Sequence, residues 1–315
     1  MKTIIVLGSG NSGAGAIRDF LMSRKDFQSP FGKQEFRIVN DPDGIDDLYN
    51  SLYSNFSLNG SANALRCFKE FIINNYNSNY NKKNRIFSED IIKLSNIFLE
   101  QISEIKYNGS PQFYFDKMSK LKKINFYFNR FFLKKNAKDI PLINMILPCS
   151  EELFLKYAED FILNIYKLHS NFDQKKNIII EQGGNFLNPI SSTKYYGKNR
   201  KIIFVSRDPK AIFWSMKRRN SLSYPGNNVR IFVKWYKNLI KKINKHEFKD
   251  IIEINFENFF QNFEVEKRKL LTKLDISHDC KDNFNLQHTL KNLFKYRENL
   301  TNEEILYIDK NLNEE

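Results

Sequence analysis

The chain opens on Lys2-Thr3-Ile4-Ile5-Val6-Leu7, a β-branched apolar run closed by glycine, which predicts a buried strand. A glycine-rich turn follows, Gly8-Ser9-Gly10-Asn11-Ser12-Gly13-Ala14-Gly15, and then Ile17, Phe20 and Leu21 fall at helical spacing. Glu35 to Val39 predicts a second strand after a loop at Asp26 to Gly32, and Asn40-Asp41-Pro42-Asp43-Gly44 a turn that starts a helix carrying Ile45, Leu48 and Tyr49. From there to about Ser170 the pattern is mostly helical. Ser61 is expected to cap a helix through Leu65, Phe68 and Phe71, with an Asn/Tyr/Lys-rich loop at Asn74 to Asn84. Further helices are expected to start at Ser88-Glu89-Asp90, at Pro111 and at Ser150-Glu151-Glu152. Leu153, Tyr157, Phe161 and Ile165 recur at helical spacing and are expected to face a core. After Lys176 the period changes. Ile178 to Ile180, Lys201 to Ser206 and Ile251 to Ile254 predict strands, with helices from Pro209, Val229, Phe256, Val265 and Thr301 between and after them. This alternation predicts an α/β fold with a parallel sheet flanked by helices, one domain over 1–315 with residues 45–170 as a large helical insertion.

Composition narrows this only a little. The 315 residues are 41% hydrophobic and 15% aromatic, enough for a globular core. The net charge of +14 favours an anionic partner (phosphates, sulfates, nucleic acid or an acidic membrane), although lysines on a solvated surface would give the same figure. Cys67, Cys149 and Cys280 are far apart with no metal-ligand spacing, so reduced thiols, no metal and a cytoplasmic location are expected. No signal peptide is expected, because a strand begins at once. No apolar run approaches the roughly 20 residues of a membrane span, which leaves peripheral contact with an acidic membrane as the one membrane role allowed.

The chemistry is concentrated at two places. Strand, glycine turn and helix together can cradle a phosphate, because glycine admits φ > 0 and the turn's N–H groups converge at the positive end of a helix dipole. A glycine turn without ligand remains open here, and so does the dinucleotide fingerprint. Gly8, Gly10 and Gly13 fit that fingerprint, with Asp41 as its ribose-binding acid. A Walker A loop is excluded, since no Gly-Lys-[Ser/Thr] follows. The second place is Arg207-Asp208-Pro209, at a strand end, with Ser215 on the helix behind it. A guanidinium fork and a hydroxyl could grip a second phosphate; an Arg paired with a neighbouring carboxylate beside an ordinary helix Ser is the alternative.

On these two stretches the sequence resembles the sulfotransferases that use 3′-phosphoadenosine 5′-phosphosulfate (PAPS). Ser206-Arg207-Asp208-Pro209 through Ser215 matches the family's 3′-phosphate element, and the glycine turn stands where the family holds the 5′-phosphosulfate. Asn255-Phe256-Glu257-Asn258-Phe259 is similar to the family's Tyr-Glu-Asp segment, which would put Phe256 near the adenine. Asn292-Leu293-Phe294-Lys295-Tyr296-Arg297 resembles the loop that closes over the cofactor. The resemblance covers both ends of the chain and is loose from about 45 to 170, the expected acceptor-binding region. It implies a P-loop-NTPase-like core and cofactor contacts from Ser9, Gly10, Asn11, Ser12, Gly13, Ala14, Gly15, Arg207, Ser215, Phe256, Lys295, Tyr296 and Arg297.

The sequence also departs from the family. The Lys/Arg that would neutralise the departing bridging oxygen is Asn11, and two hydroxyl positions are Ala14 and Gly15. Arg18, one turn into the helix, could supply the missing cation. Glu181, at a strand end beside Gly183-Gly184, is the first candidate for the base that takes the acceptor's proton, with Asp41 second; its alternative is a structural carboxylate paired with a cation. None of His169, His246, His278 and His288 stands at a strand end or in a glycine turn. The expected activity is sulfuryl transfer from PAPS to an acceptor hydroxyl, on a glycan or glycolipid of a surface polysaccharide, with no nucleic acid. Two rivals stand beside it: a Rossmann-type NAD(P)- or FAD-binding oxidoreductase, and a catalytically inactive nucleotide- or glycan-binding protein on the same fold.

Overall fold

The computed structural model describes residues 1–78, 88–109, 112–131, 142–220, 223–243, 248 and 250–312. The chain divides into two compact units, residues 1–39 with 169–315, and residues 40–168.

The first unit is built on a five-stranded sheet flanked by helices. Its strands are β1 (Thr3–Gly8), β2 (Phe27–Gln28), β5 (Asn177–Glu181), β6 (Arg200–Ser206) and β7 (Ile252–Asn255), in the spatial order β2-β5-β1-β6-β7. All four pairings are parallel. β1 is therefore central, which is why its apolar run is unbroken rather than alternating: Ile4, Ile5, Val6 and Leu7 are fully buried. One face of the sheet (Ile4, Val6, Ile179, Ile203, Val205, Ile254) forms a core with Ile17, Phe20 and Leu21 of α1 (Ala14–Met22). Phe256, Phe259 and Phe260 of the short helix Phe256–Gln261 close it.

The second edge strand is not where the sequence pattern puts it. Phe27–Gln28, inside the expected loop, pairs with β5, while residues 35–39 form no strand. Phe36, Ile38 and Val39 are nonetheless buried. Phe36 stacks on Phe31 at 4.8 Å and meets Tyr196 edge-on at 6.2 Å, so the alternating apolar residues pack as a loop. Asp41 consequently follows no strand, and loses the strand-end position that the dinucleotide fingerprint requires of its acid.

The second unit holds α2 (Ile45–Tyr49), α3 (Leu58–Asn77), α4 (Asp90–Gln101), α5 (Gln112–Lys117), α6 (Lys120–Phe131) and α7 (Glu151–Lys167). It is not wholly helical. β3 (Ser103–Gly109) and β4 (Ile143–Pro148) pair antiparallel, a pattern missed because β3 exposes most of its residues and so shows no apolar alternation. Ser57, not Ser61, caps α3, accepting from the Gly60 N–H; Ser61 is buried inside the helix. Ser150 caps α7 as expected. Phe161 and Ile165 of the expected α7 stripe are inside; in its first turns Phe154 and Ala158 are buried instead, while Tyr157 is half-buried and Leu153 exposed. Phe98 stacks on Phe161 at 4.9 Å, and Phe68 meets both rings edge-on, so aromatic packing fixes the buried face. Pro111 and most of the expected Asn74 to Asn84 loop lie outside the described residues, as does His246.

Candidate functional site

In a parallel sheet every strand points the same way, so the loops after β1, β5, β6 and β7 gather at one edge. The glycine turn follows β1, Glu181 ends β5, Arg207 follows β6, and Phe256 with Glu257 follows β7. Residues scattered over 250 positions of sequence are thus candidates for one site.

The turn's backbone is unusual at two points. Asn11 has φ +66° and Gly13 φ +93°, both left-handed, and the Ser12 N–H bonds back to the Ser9 carbonyl at 2.9 Å. Asn is among the few side-chain-bearing residues that enter this region readily, so position 11 has a backbone reason to be Asn; a lysine there would cost roughly 1 kcal/mol or more. Gly13 has a second constraint. A Cβ on it would lie 2.4 Å from the Phe256 ring, so β7's connection packs directly on the turn. Gly10 is covered in the same way by the Tyr224 ring, at 2.5 Å from an added Cβ. Gly13 is also the N-cap of α1 and offers no side chain to it. Asp208, Asn228 and Asn255 cap their helices with side-chain oxygens, but α1 keeps its first N–H groups open toward the turn.

Arg207 reaches into this turn. Its Nη1 donates to the Asn11 carbonyl at 3.2 Å, and its guanidinium lies 4.6 Å over the Phe256 ring. Glu257 stands 3.7 Å from Arg207 Nε, too far for a hydrogen bond, while its other oxygen accepts the Asp208 N–H at 3.3 Å. Both side chains are about nine-tenths buried, at 9% and 12% exposed. Burial pulls the Arg207 guanidinium below its usual range and pushes the Glu257 carboxyl up. Four buried polar atoms here have no hydrogen-bond partner: Asn11 Oδ1, Ser12 Oγ, Arg207 Nε and Glu257 Oε1. Buried polar groups are almost always satisfied, so this concentration makes the strand ends the candidate site for a polar ligand.

Glu181 and Arg18 are brought together by the fold and pair with each other. Arg18 also holds Asp19 at 2.8 Å and the Lys33 carbonyl at 3.0 Å, so its three partners anchor it away from a free swing toward Asn11. Burial raises the Glu181 carboxyl, against the opposing pull of Arg18. Glu181 also lies under the turn: a Cβ on Gly15 would be 3.1 Å from its Oε1. Both sequence alternatives for Glu181 are therefore visible at once, a paired strand-end carboxylate whose pKa is displaced toward neutrality.

Ser9 and Ser12 are buried, Ala14 begins α1, and Ser215 is buried on the helix Pro209–Arg218. Tyr296 is buried too, and its hydroxyl donates to Asp208 at 2.9 Å. Lys295 and Arg297, either side of it, are exposed, with the Arg297 guanidinium 4.5 Å over Phe294. The segment is held further by Lys210 on Asp309 and by Lys217 on Glu304 at 2.6 Å, which tie Pro209–Arg218 to the C-terminal helix Asn302–Leu312.

Three neighbours of the turn are given no role of their own by the sequence. Glu257 was readable only as part of a motif, Tyr224 sits in a stretch without pattern, and Gln182 adopts φ +54° to donate through Nε2 to the Gly8 carbonyl at 3.2 Å. The signal for Gln182 is faint: a polar residue between a strand end and Gly183-Gly184. Of the histidines, His169 packs edge-on against Phe31 and its pKa is lowered by burial, while His278 meets the Thr272 hydroxyl at 3.1 Å.

The second unit has a cavity of about 520 Å³, walled by α3, α4 and the β3–β4 pair. Lys69, Lys106, Lys117 and Lys122 line it together with Arg66, Glu70 and Glu100, over an aliphatic floor that includes Leu65 and Ile146; Lys106 pairs with Glu100, and Arg66 with Glu70 at 2.7 Å. Among the described residues no group of three or more His, Cys, Asp or Glu could hold a metal ion, and no helix is long and apolar enough to cross a membrane. A scan against protein-family models found no match, and a search of curated proteins found none either.

Proposed function

We propose that the first unit binds PAPS and transfers its sulfuryl group to an acceptor hydroxyl. The observation that carries this reading is the Arg207–glycine-turn contact. A buried, incompletely paired guanidinium meets the carbonyl of a loop whose helix N-terminus is uncapped, and this suits a ligand with two anionic groups. Ser12 and the open α1 N–H groups would hold the 5′-phosphosulfate, and Arg207, released from Asn11, the 3′-phosphate with Ser215. Phe256, buried with Arg207 over its ring, would meet the adenine only once Arg207 moves onto the 3′-phosphate. The strand order supports a P-loop-like core over a dinucleotide fold: β1 has β5 and β6 as neighbours, whereas the 3-2-1-4-5-6 order puts the first and second strands side by side.

In transfer, negative charge grows on the bridging oxygen of the leaving nucleotide. Asn11 offers a neutral amide donor at the turn, and the α1 dipole adds a fixed partial positive charge. Glu181, with its raised pKa, suits a base that takes the acceptor proton near neutral pH. One observation favours the rival reading of a protein that binds nucleotide without turnover: Arg18 and Glu181, the two candidate catalytic charges, are paired with each other.

Titration with adenosine 3′,5′-bisphosphate, adenosine 5′-phosphate and NAD(H) tests the binding. Arg207→Ala is expected to weaken the bisphosphate by about 1.5–3 kcal/mol and leave the 5′-phosphate nearly unchanged. Equal loss for both nucleotides removes Arg207 from the 3′ site, and tight NAD(H) with no bisphosphate binding overturns the class. Turnover of PAPS on a glycan acceptor, lowered roughly 10²–10⁴-fold in Glu181→Gln, separates enzyme from binding protein.

A further inference from the structure

Two aromatic rings press on the glycine turn from different sides. At Gly13 the ring is Phe256, beneath the Arg207 guanidinium. At Gly10 it is Tyr224, whose Cζ and Oη would lie 2.5 and 2.7 Å from an added Cβ. Gly10 is not in the left-handed region, so the close approach of the phenol is what requires glycine there. The ring is placed from behind. Gly226 packs on the helix Pro209–Arg218, where an added Cβ would be 2.5 Å from the Met216 carbonyl carbon. The Gly226 N–H returns to the Tyr224 carbonyl at 2.8 Å, and the Tyr224 ring meets Trp235 of the helix Val229–Lys241 at 5.8 Å and 68°. Tilted packing on Trp235 and contact with Gly10 thus hold the phenol at the turn. Among the described residues its hydroxyl has no hydrogen-bond partner.

The direction of the ligand decides what that donor meets. In the nucleotide reading above, on which this inference rests, the adenine and the 3′-phosphate lie on the Phe256 and Arg207 side of the turn. The α1 N–H groups hold the 5′-phosphate. The sulfuryl group is bonded to the far side of that phosphate, so it extends away from the nucleoside and toward Gly10. The turn itself has no hydroxyl at Ala14 or Gly15 to receive it. We infer that the Tyr224 hydroxyl donates to the terminal sulfuryl oxygens of bound PAPS. Tyr224 thereby sets the preference for the sulfated donor over the bisphosphate left after transfer. A hydrogen bond to an ionised oxygen is among the stronger ones, and a ring held at both ends aims it.

Two ligand pairs that differ only by the sulfuryl group test it: PAPS against adenosine 3′,5′-bisphosphate, and adenosine 5′-phosphosulfate against adenosine 5′-phosphate. Calorimetric titration of the full chain gives a ratio of affinities for each pair. Tyr224→Phe keeps the ring on Gly10 and Trp235 and removes only the hydroxyl. It is expected to lower both ratios roughly tenfold, the loss of one hydrogen bond to a charged group, with the bisphosphate and the 5′-phosphate themselves nearly unchanged. Gly10→Ala reaches the same bond by another route, since the new Cβ displaces the phenol without altering it. It should lower both ratios as well. Ratios that stay at the wild-type value in either variant overturn the inference while leaving the nucleotide reading in place. An equal loss for all four ligands in Tyr224→Phe also overturns it, because Tyr224 would then only support the turn. A wild type that binds neither PAPS nor the bisphosphate overturns the nucleotide reading, and this inference with it.

Discussion

The two units leave opposite kinds of group unsatisfied. In the first, the sheet's apolar residues are packed away while Ile231, Val265 and Leu306 stand exposed singly on its helices, and the buried groups left unpaired are polar: Asn11 Oδ1, Ser12 Oγ, Arg207 Nε and Glu257 Oε1, gathered at the ends of the strands. In the second, an aromatic stack closes the interior, and Leu121, Ile124 and Phe131 of α6 stand exposed. The difference teaches what the first unit is built to meet. Buried polar atoms without partners are relieved by a small, charged ligand that brings its own oxygens.

The largest effect is expected in the second unit's interior. Phe68 is fully buried and meets Phe98 at 5.8 Å and Phe161 at 6.1 Å. Phe68→Ala should cost about 3–5 kcal/mol, read as faster hydrogen exchange in α3, α4 and α7. Equal acceleration in β1, β5 and β6 would show that the two units open together. In the first unit the sensitive point is backbone rather than core. Gly13→Val forces a β-branched residue into φ +93° and against Phe256, and should cost about 3 kcal/mol, with exchange rising first in β1 and α1. A Val variant as stable as wild type would mean that the turn is not held in its left-handed form.

The finest test is a slope with pH. Burial raises the Glu257 carboxyl above its ordinary value of 4.5, so ionising it opposes folding. The stability it contributes is complete below the unfolded value and is lost as pH rises through the folded one. Glu257→Gln, which keeps the uncharged shape, should therefore gain on wild type in melting temperature as pH climbs from about 4.5 through that value. A gap that shrinks over the same range would show that Arg207 stabilises the carboxylate more than burial destabilises it.

Elements whose signal is local are legible in the residues alone. β1, β5 and β6 are uninterrupted apolar runs because a central parallel strand is covered on both faces, and Pro209 and Ser150 mark helix starts through their own backbone and side-chain chemistry. The glycine turn was legible for the same reason, since left-handed φ is written in residue type at Gly13 and Asn11. The rest depends on which segments meet on folding. Phe36, Ile38 and Val39 alternate like a strand yet pack as a loop, because Phe27–Gln28 occupies the sheet edge. β3 and β4 pair across 33 or more residues with little apolar pattern on β3, so backbone hydrogen bonding forms what side chains do not announce. Which face α7 buries was set by Phe68 and Phe98, and the pairing of Arg18 with Glu181 by a separation of 163 residues that parallel strands close. Hydrophobic period tells a segment that it must be buried; only the neighbours available on folding decide against what.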